Sequence, residues 1–342
     1  MSAKSAFVKS RHNKASRVNS YLAAASESKK RKVSRQRSSQ DWPIIIDDSP
    51  KALGQGSPKK QRRGLGIQEP LREIPASADS FIRVQELLEL SKNVIVISGA
   101  GMSANAGFPT FQGIQKSRQT SFDRCLYSSP DETIRFHSTI CSMFEHGQSD
   151  LCEPTRFHKV MDKLARERRL LRHITQNIDC IEQQLPDLNA KTIRLHGQVD
   201  QMRCQMCNGV YKFQPRLFQG TCLPDCQECV RRSRARVSNG KRQLRIGKLK
   251  PDVLLYGEPH PGDTEILEAV QNDLETGPDL VVVVGTKLKI PGAQSIASSI
   301  CHAARSTGGF TVWISKEEPP SRARNLFDYI LKGDCESVDQ TK

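Results

Sequence analysis

The sequence predicts an α/β protein: a Rossmann-like open parallel sheet with a small cysteine-rich insertion, preceded by a basic arm. Three observations carry that expectation. The runs Val94-Ile95-Val96-Ile97 and Leu280-Val281-Val282-Val283-Val284 are apolar on both faces, which a strand tolerates only when both faces are covered. Segments of helical periodicity lie between such runs, and that alternation is how parallel sheets are wound. Two Cys-x-x-Cys pairs, Cys204/Cys207 and Cys226/Cys229, interrupt it.

Composition sets the domain limits. Of 342 residues only 37% are hydrophobic, low enough that part of the chain should stay outside any core. The net charge of +15 is uneven, because residues 1–80 hold 17 basic against 7 acidic side chains. Residues 1–78 are therefore read as a disordered basic arm, 79–338 as the folded domain, and 198–250 as an insertion within it. Nothing approaches the roughly 20 apolar residues of a spanning helix, and no membrane partner is expected. The N-terminus lacks the apolar segment of a secretory signal. Eleven cysteines, four of them in close pairs, fit metal-bound thiolates in a reducing compartment, and the basic balance fits the nucleus.

Within the arm, Lys29-Lys30-Arg31-Lys32 and Lys59-Lys60-Gln61-Arg62-Arg63 are candidate import signals or non-specific nucleic-acid contacts, or else solvated charge. Between them, Ile44-Ile45-Ile46 followed by Asp47-Asp48 resembles a SUMO-interacting motif, which would add a strand to a partner's sheet edge. A chance apolar patch is the other reading.

The folded region opens with a helix capped by Asp79 or Ser80, with Phe81, Val84, Leu87, Leu88 and Ser91 on one face. The strand at 94–97 runs into Gly99-Ala100-Gly101, and small residues continue through Ser103, Ala104, Ala106 and Gly107 to Pro109. Such a turn can aim backbone N–H groups at a pyrophosphate. A plain strand-to-helix turn remains open, since the full dinucleotide fingerprint is absent. Phe157, Val160, Met161 and Leu164 predict a helix over 155–169. A strand at 170–175 then ends in Gln176-Asn177-Ile178-Asp179, polar residues where open sheets bind ligands. After a strand at 191–195 comes His196-Gly197, an imidazole placed as a candidate general base or as a structural histidine. The 18 residues between the cysteine pairs suit a four-thiolate zinc ribbon. Such a site has no open coordination position and is structural; Cys222 lacks the pair spacing. Residues 231–250 are strongly basic, a polyanion contact or a solvated insertion. Residues 250–258 read as a strand entering a Gly turn, followed by a helix at 264–274. The strand at 280–284 ends in Gly285-Thr286, a further place for nucleotide contacts. A helix at 293–307, a strand at 310–315 and a segment through Cys335 close the alternation.

Taken in this order, the motifs resemble a sirtuin over about residues 80–338. The most specific are Gly99-Ala100-Gly101, Pro109 with Phe111, Thr175 through Asp179, His196-Gly197, the cysteine pairs and Gly285-Thr286. Leu170-Leu171-Arg172, Gly240-Lys241-Arg242, Tyr256 through His260, Leu288 through Gly292 and Gly333-Asp334-Cys335 are similar to the fungal branch that deacetylates the core of histone H3.

The resemblance implies an NAD-dependent protein-lysine deacetylase that acts on acetylated histone and releases nicotinamide and O-acetyl-ADP-ribose. It implies catalysis by His196, Asn177 and Phe111, with His196 taking a proton from a ribose hydroxyl and Phe111 shielding the ribose from water. NAD would be held by Gly99, Ala100, Gly101, Ser103, Gly107, Pro109, Gln112, Gln176, Ile178, Asp179, Gly285, Thr286, Lys287, Ser315 and Cys335. The peptide would add as a strand along Val253, Tyr256, Gly257 and Glu258, and zinc would sit on Cys204, Cys207, Cys226 and Cys229. The chain departs from the family pattern at Thr110, Gln112, Lys287 and Ser315, and its loop beyond Gly113 is short. Each lost hydrogen bond to a buried partner removes about 1–3 kcal/mol. A weakened or inactive module that binds NAD, ADP-ribose or acetyl-lysine is therefore a second reading. A zinc-ribbon DNA-binding protein is a third, and it leaves the polar residues at the strand ends without a role.

Overall fold

The computed structural model describes residues 78–110 and 122–339. The basic clusters of the arm, the Ile44–Ile46 triplet, Phe111 and Gln112 lie outside the described residues. Six strands form one parallel sheet: β1 (Val94–Ser98), β2 (Leu170–Thr175), β3 (Thr192–Arg194), β7 (Leu280–Val284), β8 (Phe310–Ser315) and β9 (Tyr329–Lys332). Their spatial order is β3-β2-β1-β7-β8-β9. Winding proceeds outward from β1 to β3, then restarts beside β1 with β7. The topological switch, where loops leave in opposite directions and open a crevice, therefore falls between β1 and β7.

The two-faced apolar runs are explained by what covers each face. Val94, Val96, Leu280, Val282, Val312 and Ile314 point into one core, with α1 (Ala78–Leu90) and α3 (Arg156–Arg166) packed on it through Val84, Leu87, Phe157, Met161 and Leu164. Ile95, Ile97, Val281, Val283 and Trp313 point the other way, against α7 (Pro291–Ser306) and Val270 of α6 (Asp263–Thr276). Helix α1 begins at Ala78, so Asp79 and Ser80 lie in its first turn and neither precedes it as a cap. Thr155 does cap α3, accepting the amide hydrogen of His158 at 3.5 Å.

A second, antiparallel sheet holds β4 (Gly197–Cys204), β5 (Val210–Lys212) and β6 (Leu249–Val253) in the order β5-β4-β6. The segment read as a strand over 250–258 is thus shorter and belongs to this small sheet, not to the parallel one. Its alternating burial, with Leu249, Pro251 and Val253 inward, pairs it with one covered face only. The stretch 231–250, mostly exposed, is partly helical. The helix α5 (Gln227–Ser238) occupies its first part. Helix α2 (Pro130–Gly147), the longest among the described residues, joins the two parts of the fold. Ser129 caps it, Pro130 occupies its first turn, and Phe136, Ile140 and Met143 pack on Val199, Met202 and Phe218.

Candidate active site

The loops after β1 and β7 meet at the switch point with no space for side chains. The Gly99 amide donates to the Val284 carbonyl at 3.0 Å, and the Gly101 amide to the Gly285 carbonyl at 2.8 Å. A methyl group on Gly99 would lie 2.7 Å from Cβ of Thr286, and one on Gly101 would lie 2.9 Å from Cα of Gly285. Gly285 itself has φ +60°, and a Cβ there would meet the Met102 amide at 2.4 Å. These glycines close the crevice floor. Gly107, at φ +88°, turns the chain outward beneath His146, whose Nε2 donates to the Ala106 carbonyl at 2.8 Å. Pro109 and Thr110 follow, exposed.

Polar residues converge on this floor from β2 and β3. Gln176 Nε2 donates to Thr286 Oγ1 at 2.8 Å, binding the β2 loop to the β7 loop. Asn177 Nδ2 donates to Ser103 Oγ at 3.0 Å, and the Ser103 hydroxyl also serves the Asp179 carboxylate. All three side chains are buried. Burial raises the Asp179 pKa above its ordinary value against the pull of these hydrogen bonds. Asn177 Oδ1 is buried with no hydrogen-bond partner in the protein, an acceptor in want of a donor such as a sugar hydroxyl. Beneath them, His173 bridges Ser98 (2.8 Å) and Thr192 (3.0 Å) at the strand ends.

His196 stands at the end of β3, half-buried. Its Nδ1 lies 2.8 Å from the Gln176 carbonyl, which can only accept. The ring proton is therefore on Nδ1, and Nε2 carries the free lone pair of a base. Burial lowers the His196 pKa below its ordinary 6.5, so the neutral form prevails at neutral pH. Two residues earlier, Arg194 reaches across to Glu182 at 3.3 Å and to Asn189 at 2.9 Å. Burial and the Asp179 carboxylate push Glu182 up to about 7, and Arg194 draws it back down. Neither this pair nor Asn105, bonded at 3.4 Å to Asp334 after β9, was singled out from sequence. The partners sit on separate elements, and no local pattern links them.

The remaining predicted residues fall around this centre. Ser315, buried, ends β8; its carbonyl accepts from the Gly333 amide at 3.0 Å, near buried Cys335. Lys287 is held in an ion pair with Glu317. Val253 closes β6, and the next amide, of Leu254, donates to the His196 carbonyl at 2.9 Å. Tyr256 is exposed, but its backbone already pairs with Phe122 and Arg124, and the Glu258 amide turns back to the Leu255 carbonyl at 3.0 Å. A groove of about 610 Å³ runs beside it, lined by Gln198, Gln201, Asp252, Leu254, Glu258 and His260. In that wall Lys250 pairs with Glu258.

The cysteines gather at the opposite end of β4, seven residues from Gly197 and so roughly 20 Å along the strand. All four sulfurs lie within 4.8 Å of one another. The Cys204–Cys229 and Cys207–Cys226 separations are both 3.8 Å. That is the edge of a tetrahedron whose corners lie about 2.3 Å from its centre, the zinc–thiolate distance. Amides of Met206 and Cys207 point at Cys204 Sγ at 3.4 and 3.5 Å, as a knuckle requires. The donor set fits zinc; Cys222 is exposed and outside it.

Known proteins share this arrangement. The Sir2 family description matches residues 99–291. The NAD-dependent protein deacetylase hst4 of Emericella nidulans is 35% identical over 273 residues, 72% of this chain and 46% of that protein. The NAD-dependent histone deacetylase HST4 of Saccharomyces cerevisiae is 32% identical over 280 residues, covering 73% of this chain and 75% of its own. A crystal structure of a Sir2 homologue–NAD complex superposes with a TM-score of 0.56 at 23% identity, covering 76% of this chain and 91% of that one. By its family match and its relatives, the chain belongs to the Sir2 family.

Proposed function

We propose that the protein is an NAD-dependent protein-lysine deacetylase acting on acetylated histone in the nucleus, with nicotinamide and O-acetyl-ADP-ribose as products. The observation that carries this reading is the fixed tautomer of His196, whose Nδ1–H is tied to the Gln176 carbonyl in the loop that carries Asn177 and Asp179. Bound NAD supplies a ribose carbon made electrophilic by its cationic nicotinamide leaving group. Gly99 to Ser103 with Gly285 and Thr286 would hold its phosphates, and Asn177 and Asp179 the ribose and nicotinamide end. The unpartnered Asn177 Oδ1 supports that fit. His196 Nε2 takes the proton of a ribose hydroxyl while Nδ1–H, tied to the Gln176 carbonyl, keeps the ring aimed. The acyl-lysine peptide enters along Gly257 and Glu258, next to the loop that His196 anchors through Leu254. Ile44–Ile46 as a SUMO contact and the arm as a nucleic-acid contact belong to the same proposal.

Nicotinamide release from NAD with an acetylated histone H3 peptide tests the reading. Release should depend on peptide and fall at least about 100-fold in His196→Ala, the scale of a lost general base. NAD binding by calorimetry should stay nearly unchanged. Undiminished release in that variant would remove His196 from the mechanism. Binding without release in the parent protein would favour the inactive module.

A further inference from the structure

The zinc module carries a surface that the deacetylase reading does not use. Residues 227–250 hold nine basic side chains against one acidic, Glu228. Glu228 is bound to Arg231 and Arg232, and Lys248 pairs with Asp225. Arg234, Arg236, Lys241, Arg242 and Arg245 are exposed and have no carboxylate partner among the described residues. They do not dangle independently. Helix α5 starts directly at the cysteine pair, and the chain returns along it because Ser233 Oγ bonds both the amide and the carbonyl of Leu244 at 3.1 Å. Arg236 also donates to the Arg242 carbonyl at 3.4 Å. Arg234 and Arg236 follow Ser233 on the helix, and Lys241, Arg242 and Arg245 lie on the returning chain bonded to it, so the five cations belong to one unit fixed to the four-thiolate site. We infer that this surface is a docking face for the phosphate backbone of duplex nucleic acid.

The chemistry selects that partner. Protein–protein interfaces are depleted in charge at their centre, whereas nucleic-acid interfaces are more polar and much more positively charged. No Phe, Tyr or Trp occurs in 227–250, so there is no platform on which the bases of a single strand could stack. Contacts confined to phosphates position a duplex without reading its sequence. The inference is independent of the catalytic reading.

The test is fluorescence anisotropy of the full-length, zinc-loaded protein with two unrelated 30-base-pair DNA duplexes across a salt series. Both duplexes should bind alike. Changing Arg234, Arg236, Lys241, Arg242 and Arg245 together to Gln should weaken both at least tenfold. It should also make the log–log salt slope shallower by about 4 to 5, one counterion per lost contact. A parallel variant with Lys29, Lys30, Arg31 and Lys32 changed to Gln separates the arm from the module. Zinc content and nicotinamide release from NAD with a free acetylated peptide should be unaltered in the five-residue variant. If five changes upset the module, the single reversals Arg234→Glu and Arg245→Glu should each weaken binding in the same sense. No binding by the parent, or loss confined to the arm variant, would overturn the inference. So would a five-residue variant that keeps duplex affinity and loses only polyglutamate, which would assign the surface to an acidic protein.

Discussion

His196 can accept a proton only while Nε2 is bare, and two features keep it so: the Gln176 carbonyl holds the proton on Nδ1, and burial disfavours the cation. The kcat/KM profile should therefore be level from pH 7 upward and fall on an acid limb below 6.5. An acid limb above pH 7 would point to a different base. Arg194 and Glu182 brace the same corner, since Glu182 follows the Asp179 loop and Arg194 precedes His196. Their side chains are 14% and 1% exposed. Arg194→Met leaves a buried carboxylate without its cation and should cost about 3–5 kcal/mol in urea unfolding. Adding Glu182→Gln should restore part of that loss; strict additivity in the double-mutant cycle would show that the pair does not interact.

Among the elements, the loops after β1 and β7 have the least freedom. Gly285→Ala places a methyl group 2.4 Å from the Met102 amide at φ +60°. The left-handed conformation alone costs about 1–2 kcal/mol, before the clash with backbone. Thermal unfolding should register at least that loss, together with weakened NAD binding. Gly292→Ala is the control. It lies in the first turn of α7 with nothing within 4 Å of the added carbon. That change should be neutral or stabilising by up to about 1 kcal/mol.

At the scale of the molecule, stability against acid follows from groups the fold buries. Burial lowers His158 to about 3 and His173 well below 6.5, so both stay neutral while the unfolded chain takes up protons. Their contribution is full above pH 6.5 and is lost as pH falls from 6.5 toward 3. Glu182 acts oppositely: raised to about 7, its contribution is full below its ordinary 4.5 and lost as pH rises through 7. From these three groups, one net proton separates the states between pH 4.5 and 6.5, and two below 4.5. Stability should drop by about 1.4 kcal/mol per pH unit in the first window and about 2.7 in the second. A flat profile across both windows would contradict the buried neutral histidines. Zinc divides the molecule differently. With Cys226→Ser, or after chelation, hydrogen exchange should rise across β4, β5 and β6, while β1, β7 and β8 keep their protection. Nicotinamide release should fall as well, because the small sheet carries Val253 and Leu254 beside His196.

The sequence by itself determined the buried strands β1 and β7, since a run of β-branched residues with no polar face admits one kind of environment. It also determined the four-thiolate module, because two short knuckles at the right spacing converge on an ion without help from elsewhere. The ordered motifs were enough to point to the family. What it could not contain was the pairing of distant residues. Helix α2 escaped notice although Ser129-Pro130-Asp131-Glu132 is a readable start, and the strand read over 250–258 carried no sign of which sheet it joins. Periodicity reports which face is covered and not by which partner. Only the tertiary structure brought Arg194 to Glu182, put the His196 proton on Nδ1, and closed Gly99 and Gly101 against Gly285. Each of these is a contact between residues distant in the chain, and the last lies where the parallel sheet reverses its winding.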